Sequence, residues 1–215
     1  MKRSALYVFC KSAALVFFRL FMPYRIMNAE NMPKSGRVIV CCNHLTFKDP
    51  ILLTAVAGKR QVNFMAKMEL FKNPLLGSLF RKVGAFAVNR GKGDSSAINR
   101  AQELLQEEQV VGIFIEDTLS KDGAFLQPKS GAVMLAFQNN TPILPVCITG
   151  RKGIFPKLFH RVDVVCGPLI MPEQLQIEKG SGSEYRQASR LVMGRIMELR
   201  DPALVPKALK GEGPQ

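Results

Sequence analysis

His44 and Asp49 are the residues of this chain whose types and spacing can do chemistry. A carboxylate at that separation can hold one imidazole nitrogen and leave the other to take a proton, the arrangement of a general base. The chain has only 2 histidines, and this one follows the apolar run Val38-Ile39-Val40-Cys41-Cys42 and Asn43. Such a run reads as a buried strand, and strand ends in α/β proteins are where reacting groups collect. A second reading stands beside the first. Asp49 before Pro50, with Ile51, Leu52 and Leu53 following, is also the signature of a helix start, with Asp as N-cap and Pro as the first helical residue.

The elements that must position this pair alternate along the chain. Residues 37–42, 61–67, 85–89, 110–115, 142–149 and 162–166 are apolar runs of strand length. Helices are predicted over about 50–56, from caps among Asp94, Ser95 and Ser96 to residue 109, over 131–137, and over 184–200. Residues 71–83 are apolar and basic with Pro74 and Gly77 inside, which reads as a broken helix or helical hairpin. Its Phe71, Leu75, Leu76, Leu79 and Phe80 are either core or a membrane-facing patch. The alternation predicts a single α/β domain over 28–201, a mostly parallel central sheet flanked by helices. An N-terminal membrane-associating helix over 1–27 precedes it, Pro23 and residues 28–36 reading as connector, and a flexible tail over 202–215 follows.

Composition narrows the partners. At 215 residues the chain fits one domain with a sizeable core. A net charge of +13 and a pI near 9.8 call for an anionic partner. A hydrophobic content of 47% and a mean hydropathy of +0.06 favour a lipid surface over nucleic acid, for which no zinc-finger spacing or RNP-like aromatic motif is present. Within the first 22 residues Ser4, Lys11, Ser12 and Arg19 fall on one narrow helical stripe, and the rest, including Leu6, Phe9, Leu15, Phe17, Phe18 and Phe21, is apolar. That pattern suits a helix lying in the interface of an anionic membrane. Lys11 and Arg19 leave no uncharged stretch of the ~20 residues that a spanning helix needs, and Lys11 interrupts the core that a cleaved signal would require. The 5 cysteines, odd in number and mostly in apolar runs, read as buried free thiols of a reducing compartment. A metal centre built on Cys41, Cys42 and His44 is not expected, because neighbours on a strand point to opposite faces.

Further segments in the correct order supply a context for His44. Asn43-His44-x4-Asp49 resembles the first motif of the glycerophospholipid acyltransferases, in particular of the 1-acyl-glycerol-3-phosphate acyltransferases. Ala66-Lys67-x-Glu69-Leu70-Phe71-x2-Pro74-x2-Gly77 resembles their next segment, and Gly84-x-Phe86-x-Val88-Asn89-Arg90 their second motif. Phe114-Ile115-Glu116-Asp117-Thr118-Leu119-Ser120 stands where that family carries Phe-Pro-Glu-Gly-Thr-Arg-Ser, Lys129-Ser130-Gly131-Ala132 follows at the family's spacing, and Pro145-Val146 matches the fourth motif. The similarity covers roughly residues 30–170. It implies transfer of a fatty acyl group from acyl-CoA or acyl carrier protein to the free hydroxyl of a lysophospholipid on a membrane's cytoplasmic face, with no metal or organic cofactor. His44 oriented by Asp49 would deprotonate that hydroxyl for direct attack; no serine stands in a nucleophile-elbow sequence and no cysteine has an obvious activating partner.

Arg90 is then the first candidate for the acceptor's phosphate and Lys129 the second, a bidentate fork and a point charge respectively. Thr118 and Gly131 join them as substrate-binding candidates, although Thr118 and Ser120 read equally as turn residues. Glu116 ends an apolar strand, where an unpaired carboxylate is costly, and is expected to pair with a cation or a ligand hydroxyl. Asp117 and Leu119 depart from the family pattern: the site gains a negative charge and loses a positive one. The departure leaves two alternatives, an enzyme for a different lyso-lipid acceptor and a catalytically weakened lipid-binding relative. A basic-aromatic stretch over 151–161 reads as a strand-connecting loop or as a docking site for an acyl carrier protein, coenzyme A or membrane.

Overall fold

The computed structural model describes residues 5–88, 95–120, 122–150 and 161–200. Its centre is a seven-stranded sheet. The strands are β1 (Tyr24–Met27), β2 (Val38–Cys42), β3 (Val62–Lys67), β4 (Ala85–Val88), β5 (Val110–Phe114), β6 (Ile143–Gly150) and β7 (Val162–Cys166), in spatial order β1-β7-β6-β2-β5-β3-β4. Every neighbouring pair is parallel except β6 with β7. The mostly parallel α/β sheet is therefore as expected. Helices α1 (Ala5–Phe21), α2 (Asp49–Val56), α3 (Pro74–Lys82), α4 (Ser95–Gln106), α5 (Gly131–Gln138) and α6 (Gly182–Glu198) cover it.

Two cores lie on the two faces of the sheet. Ile39, Cys41 and Val111 face α4, α5 and α6, whereas Val38, Val40 and Cys42 face α1 and α2. The thiols of Cys41 and Cys42 thus enter opposite cores, as strand geometry requires. Burial holds them and Cys147 and Cys166 protonated: the last two are pushed up to about 12. Among the described residues the cysteines are free.

The N-terminal segment differs from expectation in its boundary. The helix ends at Phe21, and residues 24–27, assigned with it, form the edge strand β1, paired in parallel with β7. Four residues after a proline are too few to show a period of two, and Arg25 opposite Asp163, 3.1 Å apart, helps fix the register. Lys11, on the same helix, is partly exposed. It donates to the carbonyl of Gly58 just past the end of α2, where unsatisfied carbonyls and the negative end of the helix dipole attract a cation. Tyr7 and Phe18 are buried on that side, and Phe9, Val16, Phe17 and Leu20 are turned outward. Among the described residues no helix is long and apolar enough to cross a membrane.

Candidate active site

β2, β5, β6 and β3 run parallel, so their carboxyl ends share one edge of the sheet. His44 follows β2 there and Glu116 follows β5. Asn43 ties the end of β2 to β6: its side-chain amide donates to the carbonyl of Ile148 at 2.9 Å and its side-chain oxygen accepts the Ile148 N–H at 2.8 Å. The side chain therefore imitates one more residue of strand ladder after the backbone has begun to turn, which is why a fully buried asparagine is stable there.

His44 is held by every group but one. Its backbone N–H donates to Glu116 Oε2 at 2.9 Å, and its carbonyl accepts the Ser120 N–H at 2.8 Å. Its ring Nδ1 lies 3.0 Å from Asp49 Oδ2. That same oxygen accepts the N–H groups of Leu45 at 2.6 Å and Thr46 at 2.8 Å, while Thr46 Oγ1 donates to Asp49 Oδ1 at 2.7 Å. Asp49 is thus an acceptor on every side, so Nδ1 must carry the proton that joins them and Nε2 is the basic nitrogen. Nε2 has no partner among the described residues and is not sealed from solvent.

The two readings of Asp49 are resolved by these bonds. Helix α2 begins at Asp49 itself with Pro50 next, and Lys48 occupies the N-cap position without a side-chain bond. The carboxylate is turned back onto residues 44–46 instead of onto the helix's own N–H groups. It serves the histidine loop.

Glu116 was expected to pair with a cation or a ligand hydroxyl, and the partners the structure gives it are backbone groups: Oε2 accepts the His44 N–H and Oε1 the Leu126 N–H at 3.0 Å. At 2% exposure it clamps the loop after β5 to the histidine, and each oxygen keeps a lone pair beyond these bonds. Burial, the largest effect, raises its pKa, and the two N–H donors work in the opposite sense.

Sequence reasoning missed the aromatic support of the imidazole. The Phe114 ring stacks on His44 with centroids 3.9 Å apart and planes at 15°, and Phe64 stacks beyond it at 6.1 Å. Gly112 makes this possible. A Cβ there would lie 2.4 Å from Phe64 Cε1, so only glycine lets that ring lie across β5. A central glycine between Val111 and Ile113, two residues before a phenylalanine, is the signal that was available. Gly112→Ala is therefore expected to displace Phe64, destabilise the fold by ~1–3 kcal/mol, and lower kcat more than it raises KM. Thermal melting and steady-state kinetics measure both; unchanged kcat in a destabilised variant would remove the stack from any catalytic role.

The remaining candidates are dispersed. The Lys129 N–H donates to the carbonyl of Ile115 at 2.8 Å, which places the exposed Lys129 beside the end of β5, and Gly131 opens α5. Thr118 is exposed in the turn after β5. Arg90, residues 151–160 of the basic-aromatic stretch and the 202–215 tail lie outside the described residues. A groove of about 700 Å³ opens at the opposite edge of the sheet, among Arg60, Asn63, Arg81, Gly84 and Gln109, and contains none of the residues around His44. Arg60 there is committed to the carbonyls of Pro33, Gly36 and Glu108.

Comparison with known proteins shows the family. The acyltransferase family model matches residues 24–149. A 1-acyl-sn-glycerol-3-phosphate acyltransferase of Bacillus subtilis is 34% identical over 155 residues, 71% of this chain and 77% of that protein. One of Borreliella burgdorferi is 29% identical over 61% of this chain, and only 53% of its own length is covered. The crystal structure of the 1-acyl-sn-glycerophosphate acyltransferase PlsC of Thermotoga maritima superposes with a TM-score of 0.67 at 26% identity, over 91% of this chain and 78% of that one. The match begins in β1 and ends in β6, enclosing His44, Asp49 and Glu116, and the chain belongs to the acyltransferase family.

Proposed function

We propose that this acyltransferase moves a fatty acyl group from an acyl thioester to the sn-2 hydroxyl of 1-acyl-glycerol-3-phosphate, giving phosphatidic acid. The observation that carries the reading is the imidazole fixed through Nδ1 to Asp49 with Nε2 left open at the carboxyl edge of the sheet. Nε2 takes the hydroxyl proton as the oxygen attacks the thioester carbonyl carbon. The C–S bond then breaks, and the imidazolium returns its proton to the departing thiolate. No acyl-enzyme forms, and neither metal nor organic cofactor takes part. Arg90 and Lys129 hold the acceptor's phosphate; the exposure of Lys129 beside β5 supports its part.

The reaction takes place on an anionic membrane surface, at its cytoplasmic face, with acyl-CoA or acyl carrier protein as donor. The outward apolar face of α1 supports this. Leu20 is 69% and Phe9 70% exposed, and the end of α1 borders the histidine loop, where Lys48 Nζ reaches Met22 Sδ and Phe47 is 84% exposed. The test is product formation from labelled acyl-CoA or acyl carrier protein and vesicle-embedded 1-acyl-glycerol-3-phosphate by the purified full chain. Phosphatidic acid is the expected product; turnover only with another lyso-lipid in the same panel would replace the acceptor.

One observation keeps that second acceptor in play. Asp117 adopts a left-handed backbone, φ 60, which glycine takes without strain, and it brings a carboxylate to the turn beside the site while Leu119 brings no cation. The turn is partly exposed, so each change of charge is worth about 0.2–1 kcal/mol. The double change Asp117→Gly, Leu119→Arg is therefore expected to lower KM for 1-acyl-glycerol-3-phosphate about two- to thirtyfold. Unchanged kinetics would leave acceptor choice to other residues.

A further inference from the structure

We propose that residues 70–82 form a second lipid-docking surface, separate from α1, which seats on an anionic membrane and fixes how the domain is rotated about α1. The proposal rests on the membrane reading above. The steps from β2 to β3 and from β3 to β4 run in the same direction across the sheet, so right-handed crossovers put α2 and α3 on one face. Helix α1 covers α2 on that face. The outward stripe of α1 and the outer side of α3 therefore belong to one layer of the molecule.

Helix α3 is packed in a way that leaves its leucines outside. Gly77 sits against the backbone of the preceding 3-10 turn, where a Cβ would lie 2.8 Å from the carbonyl oxygen of Phe71. Phe80 meets Phe71 edge to face at 6.0 Å. With glycine and phenylalanine making the inward contact, Leu75 and Leu79, one turn apart, stay 82% and 39% exposed, and Leu70 stands exposed beside them. Lys72 and Lys82 share their helical face and Lys67 precedes them, all three exposed, against the single carboxylate of Glu69; Arg81 is turned the other way, over the Phe71 ring. Leucines flanked by lysines are what an anionic lipid interface selects: the apolar side chains enter the acyl boundary while the cations stay at the headgroups.

The experiment compares the full chain with Leu75→Ser/Leu79→Ser and, separately, Lys72→Glu/Lys82→Glu. The readouts are cosedimentation with phosphatidylcholine vesicles with and without phosphatidylglycerol, thermal melting, and turnover of a monodisperse short-chain lysophosphatidate. The leucine variant is expected to lose about tenfold in partition coefficient on the anionic vesicles. The charge variant should lose the preference for anionic over neutral vesicles. Melting and monodisperse turnover should be unchanged in both. If the wild type binds vesicles and the leucine variant binds equally, α3 has no docking role while the membrane reading stands. If the wild type binds none, that reading falls and takes this proposal with it. Unchanged partition with a lost response to an acidic acyl carrier protein would assign the patch to a protein, and a fall in monodisperse turnover would assign it to the substrate's own path; either overturns the proposal.

Discussion

His44→Ala is expected to lower kcat by ~10²–10⁴-fold, the range over which a positioned general base contributes. The variant removes a ring nitrogen that is both oriented and open, since Nδ1 is tied to Asp49 and Nε2 has no partner among the described residues. It should nevertheless fold. The backbone N–H of residue 44 keeps Glu116 and its carbonyl keeps the Ser120 N–H, because neither bond involves the imidazole. The losses are the stack on Phe114 and one of the donors to Asp49, worth about 2–4 kcal/mol together with the cavity. Vesicle binding should be retained, as the outward faces of α1 and α3 are untouched. Rate and binding measured on the same preparation decide the matter. A variant that turns over within threefold of the wild type would remove His44 from the mechanism.

The strands and helices were legible because each carries its own pattern: a continuous apolar run for β2, β5 and β6, and a helical face for α6. β1 was not, since Tyr24-Arg25-Ile26-Met27 becomes a strand only by finding β7, more than a hundred residues later. The dyad could be read from spacing, but its surroundings could not. That the Glu116 oxygens meet backbone N–H groups depends on the path of the loop up to Leu126, which no local pattern encodes. The contact of Lys11 with Gly58 has the same origin. A stripe on a helical projection shows which residues share a face, whereas the acceptor that Lys11 meets is a carbonyl at the end of another helix. The family pattern at Asp117 was informative in an unexpected direction: its glycine marks a left-handed backbone before it marks anything about charge.

Asp49 separates support from catalysis, because two substitutions at it have different consequences. Asp49→Ala removes the acceptor of two backbone N–H groups, a hydroxyl and the imidazole at once. The imidazole and the Leu45 N–H are the two buried donors among them, and each buried donor left unsatisfied costs about 1–3 kcal/mol, so the fold should lose ~2–6 kcal/mol, or roughly 4–24 °C in Tm for a chain of this size. Asp49→Asn is milder. Its amide oxygen can take the place of Oδ2 and still accept from Nδ1, Leu45 and Thr46, and its NH2 then meets Thr46 Oγ1, which can turn to accept. What this variant loses is the negative charge that stabilises the imidazolium formed when Nε2 takes the proton. The expected result is a Tm within a few degrees of the wild type and a fall in kcat of ~10²–10⁴-fold, with KM for the acceptor little changed because Asp49 is fully buried and meets no substrate. Wild-type kcat in a folded Asn variant would mean that the carboxylate only shapes the loop, and the proton would have to be taken without its help.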